Sequence, residues 1–144
     1  MGVLSKIGFK LNPVGTVMDI INRWKPGKYK TEKDYEKSLY NFLEKQLPDI
    51  EIVKQFGIGR TKVDIAVARR VFIEIKYNLN STSKLQRLIG QLSLYKKEKD
   101  EDLIILLCGD FDKNMMMQLE REVEEQNRKL LLWEPNSVFI MHKK

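Results

Sequence analysis

The apolar and polar positions of the chain repeat with two different periods, and the changes of period mark the predicted elements. Apolar residues spaced three or four apart predict helices over about 14–24, 31–47, 84–97 and 112–129. Alternating positions or short apolar runs predict strands over about 50–56, 62–68, 71–77, 103–108 and 137–142. The order is a short N-terminal helix followed by α-β-β-β-α-β-α-β. This order favours an α/β fold with a mixed central sheet flanked by helices.

The first 30 residues differ from the rest of the chain in charge. They hold six basic residues and one acidic residue, and so carry most of the net charge of +6. Asn12 followed by Pro13 predicts the start of a short amphipathic helix, and Pro26 ends it. The segment is either a solvated terminus or a surface for a polyanion. We therefore divide the chain into a basic extension, 1–30, and a domain, 31–144.

The composition excludes several kinds of protein and site. The single cysteine, Cys108, excludes an internal disulfide framework and any site that needs several thiolates. The single histidine, His142, has no plausible nucleophile nearby, which makes a Ser/His/Asp triad improbable. No apolar run approaches the roughly 18–20 residues that span a bilayer. We expect a cytoplasmic protein without a membrane partner.

Charged side chains interrupt the two apolar strands of the hairpin Lys62–Lys76. Asp64 lies in the first strand, and Glu74 and Lys76 lie in the second. Side chains two residues apart on a strand share a face, about 7 Å apart, so Glu74 and Lys76 project together. If Asp64 pairs beside Glu74, two carboxylates converge and favour a hard cation such as Mg²⁺ or Mn²⁺. The alternative is a simple ion pair on a half-exposed sheet.

These residues carry a resemblance to a known family. Residues 31 to about 110 resemble the PD-(D/E)XK nuclease superfamily, with Asp64 and Glu74-Ile75-Lys76 in the defining positions. Asp64 follows Val63, where the family signature has proline. Glu36 matches the acidic residue on the first helix of many members, and its surroundings resemble those in archaeal Holliday junction resolvases. The resemblance implies a restriction-endonuclease-like αβββαβ core.

A second part of the resemblance lies on the predicted helix 84–97. Gln91 and Tyr95 match the Gln-x-x-x-Tyr motif of RecB-like nucleases. Their spacing places both side chains on adjacent helical turns. Gln91 is expected to orient a phosphate or the region of Lys76, whereas Gln86 points away from that polar face. Tyr95 either contacts DNA or packs in the core.

The resemblance also implies a mechanism. The carboxylates of Asp64 and Glu74 and the backbone carbonyl of Ile75 would hold Mg²⁺ or Mn²⁺, and Glu36 would reach the metal through water. Lys76 would act electrostatically beside the attacking water. Four basic residues flank the expected cleft and are either phosphate contacts or ordinary surface charges: Arg60, Lys62, Lys84 and Arg87.

The expected activity is phosphodiester hydrolysis in structured or branched DNA, similar to that of a Holliday junction resolvase. A symmetric junction favours a homodimer, with the N-terminal helix or Met115–Met117 as its interface. One alternative is a RecB-like exonuclease or nonspecific nickase. Others are a protein with the same fold that binds nucleic acid without cleaving it, and an RNA-cleaving toxin.

Overall fold

The computed structural model describes residues 2–98, 101–128 and 138–144 as helices and strands of one α/β fold. None of the helices in these ranges has the length and apolar character needed to cross a membrane. In chain order the elements are α1 Gly2–Leu11, α2 Pro13–Arg23, α3 Glu32–Gln46, β1 Ile52–Ile58, β2 Thr61–Val67, β3 Val71–Leu79, α4 Thr82–Glu98, β4 Asp102–Phe111, α5 Lys113–Arg128 and β5 Val138–Lys143.

The five strands form one open, mixed sheet in the order β1-β2-β3-β4-β5. The β1–β2 and β2–β3 pairs are antiparallel, and the β3–β4 and β4–β5 pairs are parallel. The periodicity of the sequence therefore predicts the class of fold correctly. The predicted element ends at Lys129 and Ser137 lie outside the described residues.

The two faces of the sheet pack into separate cores. One core joins α2 and α3 to alternate strand residues such as Val71, Ile73 and Ile75. The other joins α4 and α5 to the opposite face, which includes Phe72 and Ile105. This arrangement confirms the alternation predicted for β3. It also buries β4 on both sides, as its unbroken apolar run predicts.

Two predicted helix starts, at Asn12 and Thr31, are confirmed by their capping hydrogen bonds. The Asn12 side chain accepts a bond from the Gly15 N–H at 3.1 Å, with Pro13 as the first helical residue. Thr31 Oγ1 likewise accepts from the Asp34 N–H at 3.2 Å. The sequence pattern does not predict α1, a helix that places the ring of Phe9 in the core beside α2.

An irregularity in β1 and β2 overturns one detail of the expected strand pattern. We expect Val63 and Ile65 on the same face, but Val63 packs in the core with α4, and Ile65 packs in the core with α3. Gln55 lies opposite this break, between the paired residues Lys54–Ile65 and Phe56–Val63, with a left-handed φ of 53°. The distortion reverses the alternation of both strands.

Candidate metal and phosphate site

The end of the β2–β3 pairing places Asp64 beside the middle of β3. The ladder between these strands stops at Ile65–Ile73. Beyond it, the Ile75 backbone N–H donates to Asp64 Oδ2 at 2.7 Å. Ile75 separates Glu74 from Lys76, so this bond brings Asp64 to the Glu-x-Lys tripeptide. The structure therefore places the predicted acidic and basic residues together.

A glutamine that sequence reasoning missed links the remaining acidic residue to this group. Gln55 Nε2 donates to Glu36 Oε1 at 2.6 Å and to Asp64 Oδ1 at 3.2 Å. Glu36 is buried on the sheet-facing side of α3. The predicted position of Glu36 near the site is thus what the structure has. Nothing in the sequence around Gln55 distinguishes it from a surface glutamine, since its role depends on a left-handed backbone.

Glu74 is a buried carboxyl group with an acidic and a basic neighbour. Its side chain is 7% exposed, and Lys76 Nζ lies 3.8 Å from its Oε2. Burial raises the pKa of Glu74 to about 9, with Asp64 adding charge repulsion and a hydrogen bond, while Lys76 opposes the shift. The surroundings of Glu74 therefore favour its protonated form more than those of an exposed glutamate do.

The donor atoms around Glu74 suit a hard cation. Two carboxylates and the Ile75 carbonyl are oxygen ligands of the type that Mg²⁺ and Mn²⁺ prefer. A divalent ion that replaced the proton of Glu74 would relieve the repulsion between Asp64 and Glu74. Within residues 2–98, 101–128 and 138–144, no three His, Cys, Asp or Glu side chains form a ready metal cluster. The amide of Gln55, rather than a third carboxylate, lies between Glu36 and Asp64.

A second acidic residue of α3 lies near this group and was not predicted to matter. Glu32 Oε1 accepts from the Tyr77 backbone N–H at 3.5 Å, one residue beyond Lys76. Its charge adds a small upward contribution to the pKa of Glu74. Glu32 and Glu36 are four residues apart and so share the helix face that meets the sheet. That spacing is the sequence signal that would have identified Glu32.

Gln91 lies beside Glu74, and Tyr95, which lines a small cavity with both, packs in the core. Gln91 and Glu74 line the same small cavity of about 10 Å³. Gln91 Oε1 is buried and accepts no hydrogen bond within the described part of the chain. Tyr95 is buried, with its hydroxyl donating to the Glu101 carbonyl at 2.6 Å and its ring packed on Phe72. Of the two alternatives for Tyr95, packing in the core is therefore the one that the structure has, and a contact with nucleic acid is wrong because the hydroxyl and ring are buried.

The four basic residues expected to contact phosphate separate into two groups. Arg60, Lys62 and Arg87 are exposed, and Lys62 lines the cavity that Glu74 and Gln91 share. Lys84 Nζ instead donates to the carbonyls of Tyr77 and Asn78 at 3.3 and 3.2 Å. The ammonium of Lys84 is thus held by backbone carbonyls near the end of β3. This corrects the expectation that Lys84 contacts a phosphate.

The two residues excluded as nucleophiles are engaged elsewhere. Cys108 is buried in β4, and burial raises the pKa of its thiol to about 12. A thiol with that pKa is not a thiolate at neutral pH. His142 Nε2 lies 2.9 Å from the Gly109 carbonyl, and its ring packs against Phe111. Within the described residues, neither side chain forms a hydrogen bond or ion pair with Asp64 or Glu74.

Comparison with family models, with curated proteins and with solved structures finds no match to this chain.

Proposed function

We propose that this chain is a Mg²⁺- or Mn²⁺-dependent nuclease of the PD-(D/E)XK type that cleaves structured or branched DNA. The observation that carries the proposal is the bond from the Ile75 N–H to Asp64, which assembles Asp64, Glu74 and Lys76. The order α3-β1-β2-β3-α4-β4 is also that of the restriction-endonuclease-like core. An ordinary surface ion pair needs neither the buried Glu74 nor the distorted strands.

The residues divide the work of hydrolysis between binding and charge stabilisation. Asp64, Glu74 and the Ile75 carbonyl would hold the metal, and Glu36 would be linked to it through water. A bound divalent cation would supply polarisation of the scissile phosphate and activation of a water. Gln55 keeps Glu36 and Asp64 oriented through its two hydrogen bonds. Glu74 would lose its proton when the metal binds.

Lys76 provides positive charge where negative charge builds up on the phosphate. Its ammonium lies 3.8 Å from Glu74 and is mostly buried, so its position is restricted. A fixed cation stabilises developing charge more effectively than a mobile one. Gln91, beside Glu74, would orient the substrate or the water. Lys62 offers a phosphate contact at the rim of the same cavity.

The proposals of structured DNA as substrate and of a homodimer rest on the elements outside the αβββαβ core. The described elements outside it are α1, α2, α5 and β5, and we favour recognition of DNA backbone and shape over base reading by them. Exposed apolar side chains on α1 (Ile7 and Leu11) and on α5 (Met117) offer contacts for a second copy. Two copies would place two sites on a two-fold symmetric junction.

Incubation with a panel of DNA shapes tests the proposal. Purified protein with Mg²⁺ or Mn²⁺ is expected to cut four-way and branched DNA in preference to linear duplex, and EDTA should stop the reaction. Lys76→Ala should lower the cleavage rate by about a hundredfold or more while leaving DNA affinity largely intact. Lys113→Ala, at an exposed lysine of α5, is the matched control and should cleave normally.

The other outcomes identify the alternatives. Release of nucleotides from labelled ends alone would indicate an exonuclease, and equal nicking of all circular substrates would indicate a nonspecific nickase. Cleavage of RNA but not DNA would indicate a ribonuclease. DNA binding without turnover in either metal would overturn the enzymatic proposal.

A further inference from the structure

A positively charged groove lies on the side of α3 that faces away from Glu36. Its volume is about 660 Å³, and it runs between the end of α2, the segment 24–29 and the outer surface of α3. Arg23 and Lys25 line one side, and Lys37 and Lys45 line the other. Basic side chains on two sides of one groove concentrate positive potential between them.

Most of this positive charge is not neutralised within the protein. Arg23 is bonded to Asp19 at 3.3 Å and to Gln46 at 3.1 Å. Lys25, Lys37 and Lys45 are exposed, and no carboxylate of the described chain lies within 4 Å of any of them. Three lysines thus remain able to neutralise an external anion.

The lysines are spread along the groove rather than gathered at one point. Lys37 and Lys45 lie eight residues apart on α3, which is about 12 Å along the helix axis. One DNA strand carries about three or four phosphates over that distance in a duplex. A chain of phosphates therefore fits this arrangement better than a single anion.

Two aromatic rings favour an unpaired strand over a duplex. Tyr29 and Phe42 are half-buried and line the groove among the basic side chains. Tyr29 is held by edge packing on Tyr35, with ring centroids 5.1 Å apart. Bases of a single strand stack on aromatic side chains, whereas the paired bases of a duplex have no free face.

We propose that the groove between α2 and α3 binds single-stranded nucleic acid through its backbone phosphates, as a second contact apart from the group around Glu74. Glu36 and Lys37 are neighbours in α3, yet Glu36 faces Gln55 and Lys37 faces the groove. This inference rests on the proposed function in one respect, namely that the partner is a nucleic acid. It does not require that the protein cleaves that partner. The groove gives a branched substrate that carries an unpaired strand a place for that strand.

Fluorescence anisotropy with a labelled oligo-dT strand in EDTA tests the groove without any cleavage. The triple variant Lys25→Glu, Lys37→Glu, Lys45→Glu is compared with Lys113→Glu, Arg121→Glu, Lys144→Glu, which makes the same charge change at exposed positions elsewhere. We expect the groove variant to lose about tenfold or more in affinity, and its salt slope to fall by about 2, because three phosphate contacts are removed. The control should change little.

Two smaller variants check the details of binding. Asp34→Asn removes a carboxylate that lines the groove, and should strengthen binding. Phe42→Leu should weaken binding of the single strand more than binding of a duplex of equal length. Circular dichroism confirms that each variant is folded.

An equal loss of affinity in the two triple variants would show a general effect of charge and would overturn the proposal that the groove binds the strand. Unchanged affinity in the groove variant, or tighter binding of the duplex than of the single strand, would overturn it as well. Binding is measured in EDTA, so it does not depend on cleavage. A protein that binds single strands at the groove but never cleaves DNA would therefore disprove the proposed nuclease activity and still support the proposed binding groove.

Discussion

The carboxylate of Asp64 accepts a hydrogen bond from the backbone N–H of Ile75, at the point where β2 and β3 stop pairing. A side chain thus takes a backbone donor of β3 just beyond the last paired residues. Ile75 lies between Glu74 and Lys76, so the bond fixes the backbone that carries both. One carboxylate therefore serves both the sheet and the proposed metal site.

Two substitutions of Asp64 separate these roles. Asp64→Asn keeps an acceptor for the Ile75 N–H but removes the charge and the acceptor for Gln55 Nε2, so we expect a smaller loss of stability than in Asp64→Ala, together with loss of Mn²⁺ binding. Asp64→Ala leaves that N–H without its acceptor and should cost about 1–3 kcal/mol of unfolding free energy. Urea unfolding and calorimetric titration with Mn²⁺ measure the two effects.

Asp49→Asn, at an exposed carboxylate before β1, is the control for the loss of charge. It should retain the stability of the parent protein and its Mn²⁺ affinity. Retained Mn²⁺ binding in Asp64→Asn would show that Asp64 is not a ligand.

The amide of Gln55 lies between two carboxylates, and replacing it with glutamate tests that position. Gln55→Glu would place a third carboxylate against Glu36 and Asp64, so we expect a lower melting temperature in EDTA. A divalent cation should restore part of the loss by relieving the repulsion. Thermal unfolding with and without Mn²⁺ measures both changes.

Gln118→Glu, at an exposed position of α5, makes the same chemical change in solvent. We expect it to have little effect on the melting temperature and no dependence on Mn²⁺. A Gln55→Glu protein that melts like this control would contradict the bridging role of Gln55.

The periodicity of the chain predicts most of the fold because most elements are amphipathic. Asn12 and Thr31 give clear helix starts, and the alternation of β3 gives its two faces correctly. The irregular β1–β2 segment does not follow from periodicity. Gln55 in this segment has a positive φ, which a glutamine in a sequence does not predict. The resulting reversal of the inward and outward alternation moves Val63 to the other face of the sheet.

Part of the candidate site can also be predicted from the sequence. Asp64, Glu74 and Lys76 stand out because charged residues interrupt apolar strands, and such residues need partners. Gln55 has no such contrast with its neighbours, and Lys84 looks like any surface lysine until the carbonyls at the end of β3 are placed. Contacts made by side chains with distant backbone atoms are what the sequence alone does not reveal.

Two glycines should respond in opposite ways to alanine. Gly109 has a φ of +77°, and a Cβ there would clash with Asn78 Oδ1 and lie 2.9 Å from the ring of Tyr77. Gly109→Ala should therefore destabilise the fold by about 1–3 kcal/mol. Gly90, in α4, has open space at its Cβ position, and Gly90→Ala should stabilise the helix by up to about 1 kcal/mol.

Urea unfolding of both glycine variants measures the difference. The pair controls for the added methyl group, since only Gly109 combines a left-handed backbone with crowding. Equal stability of the two variants would contradict the tight packing of Gly109 against Asn78.

The pKa of Glu74 predicts how stability depends on pH without metal. Burial and the neighbouring Asp64 raise the pKa of Glu74 from 4.5 to about 9 in the folded chain. The stabilising contribution of its bound proton is fully present below 4.5 and is lost as the pH rises through about 9. Its slope cannot exceed about 1.4 kcal/mol per pH unit. Glu74→Gln should flatten the dependence in urea unfolding with EDTA.

The same proton should make metal binding depend on pH in the opposite direction. A cation that binds Glu74 must displace the proton, so we expect Mn²⁺ affinity to rise by up to about tenfold per pH unit below about 9. Calorimetry in buffers of different ionisation enthalpy measures the proton released for each ion bound. An affinity independent of pH, with no proton released, would show that the metal does not bind Glu74. Unchanged binding in Glu74→Gln would lead to the same conclusion, because that variant has neither the proton nor the carboxylate.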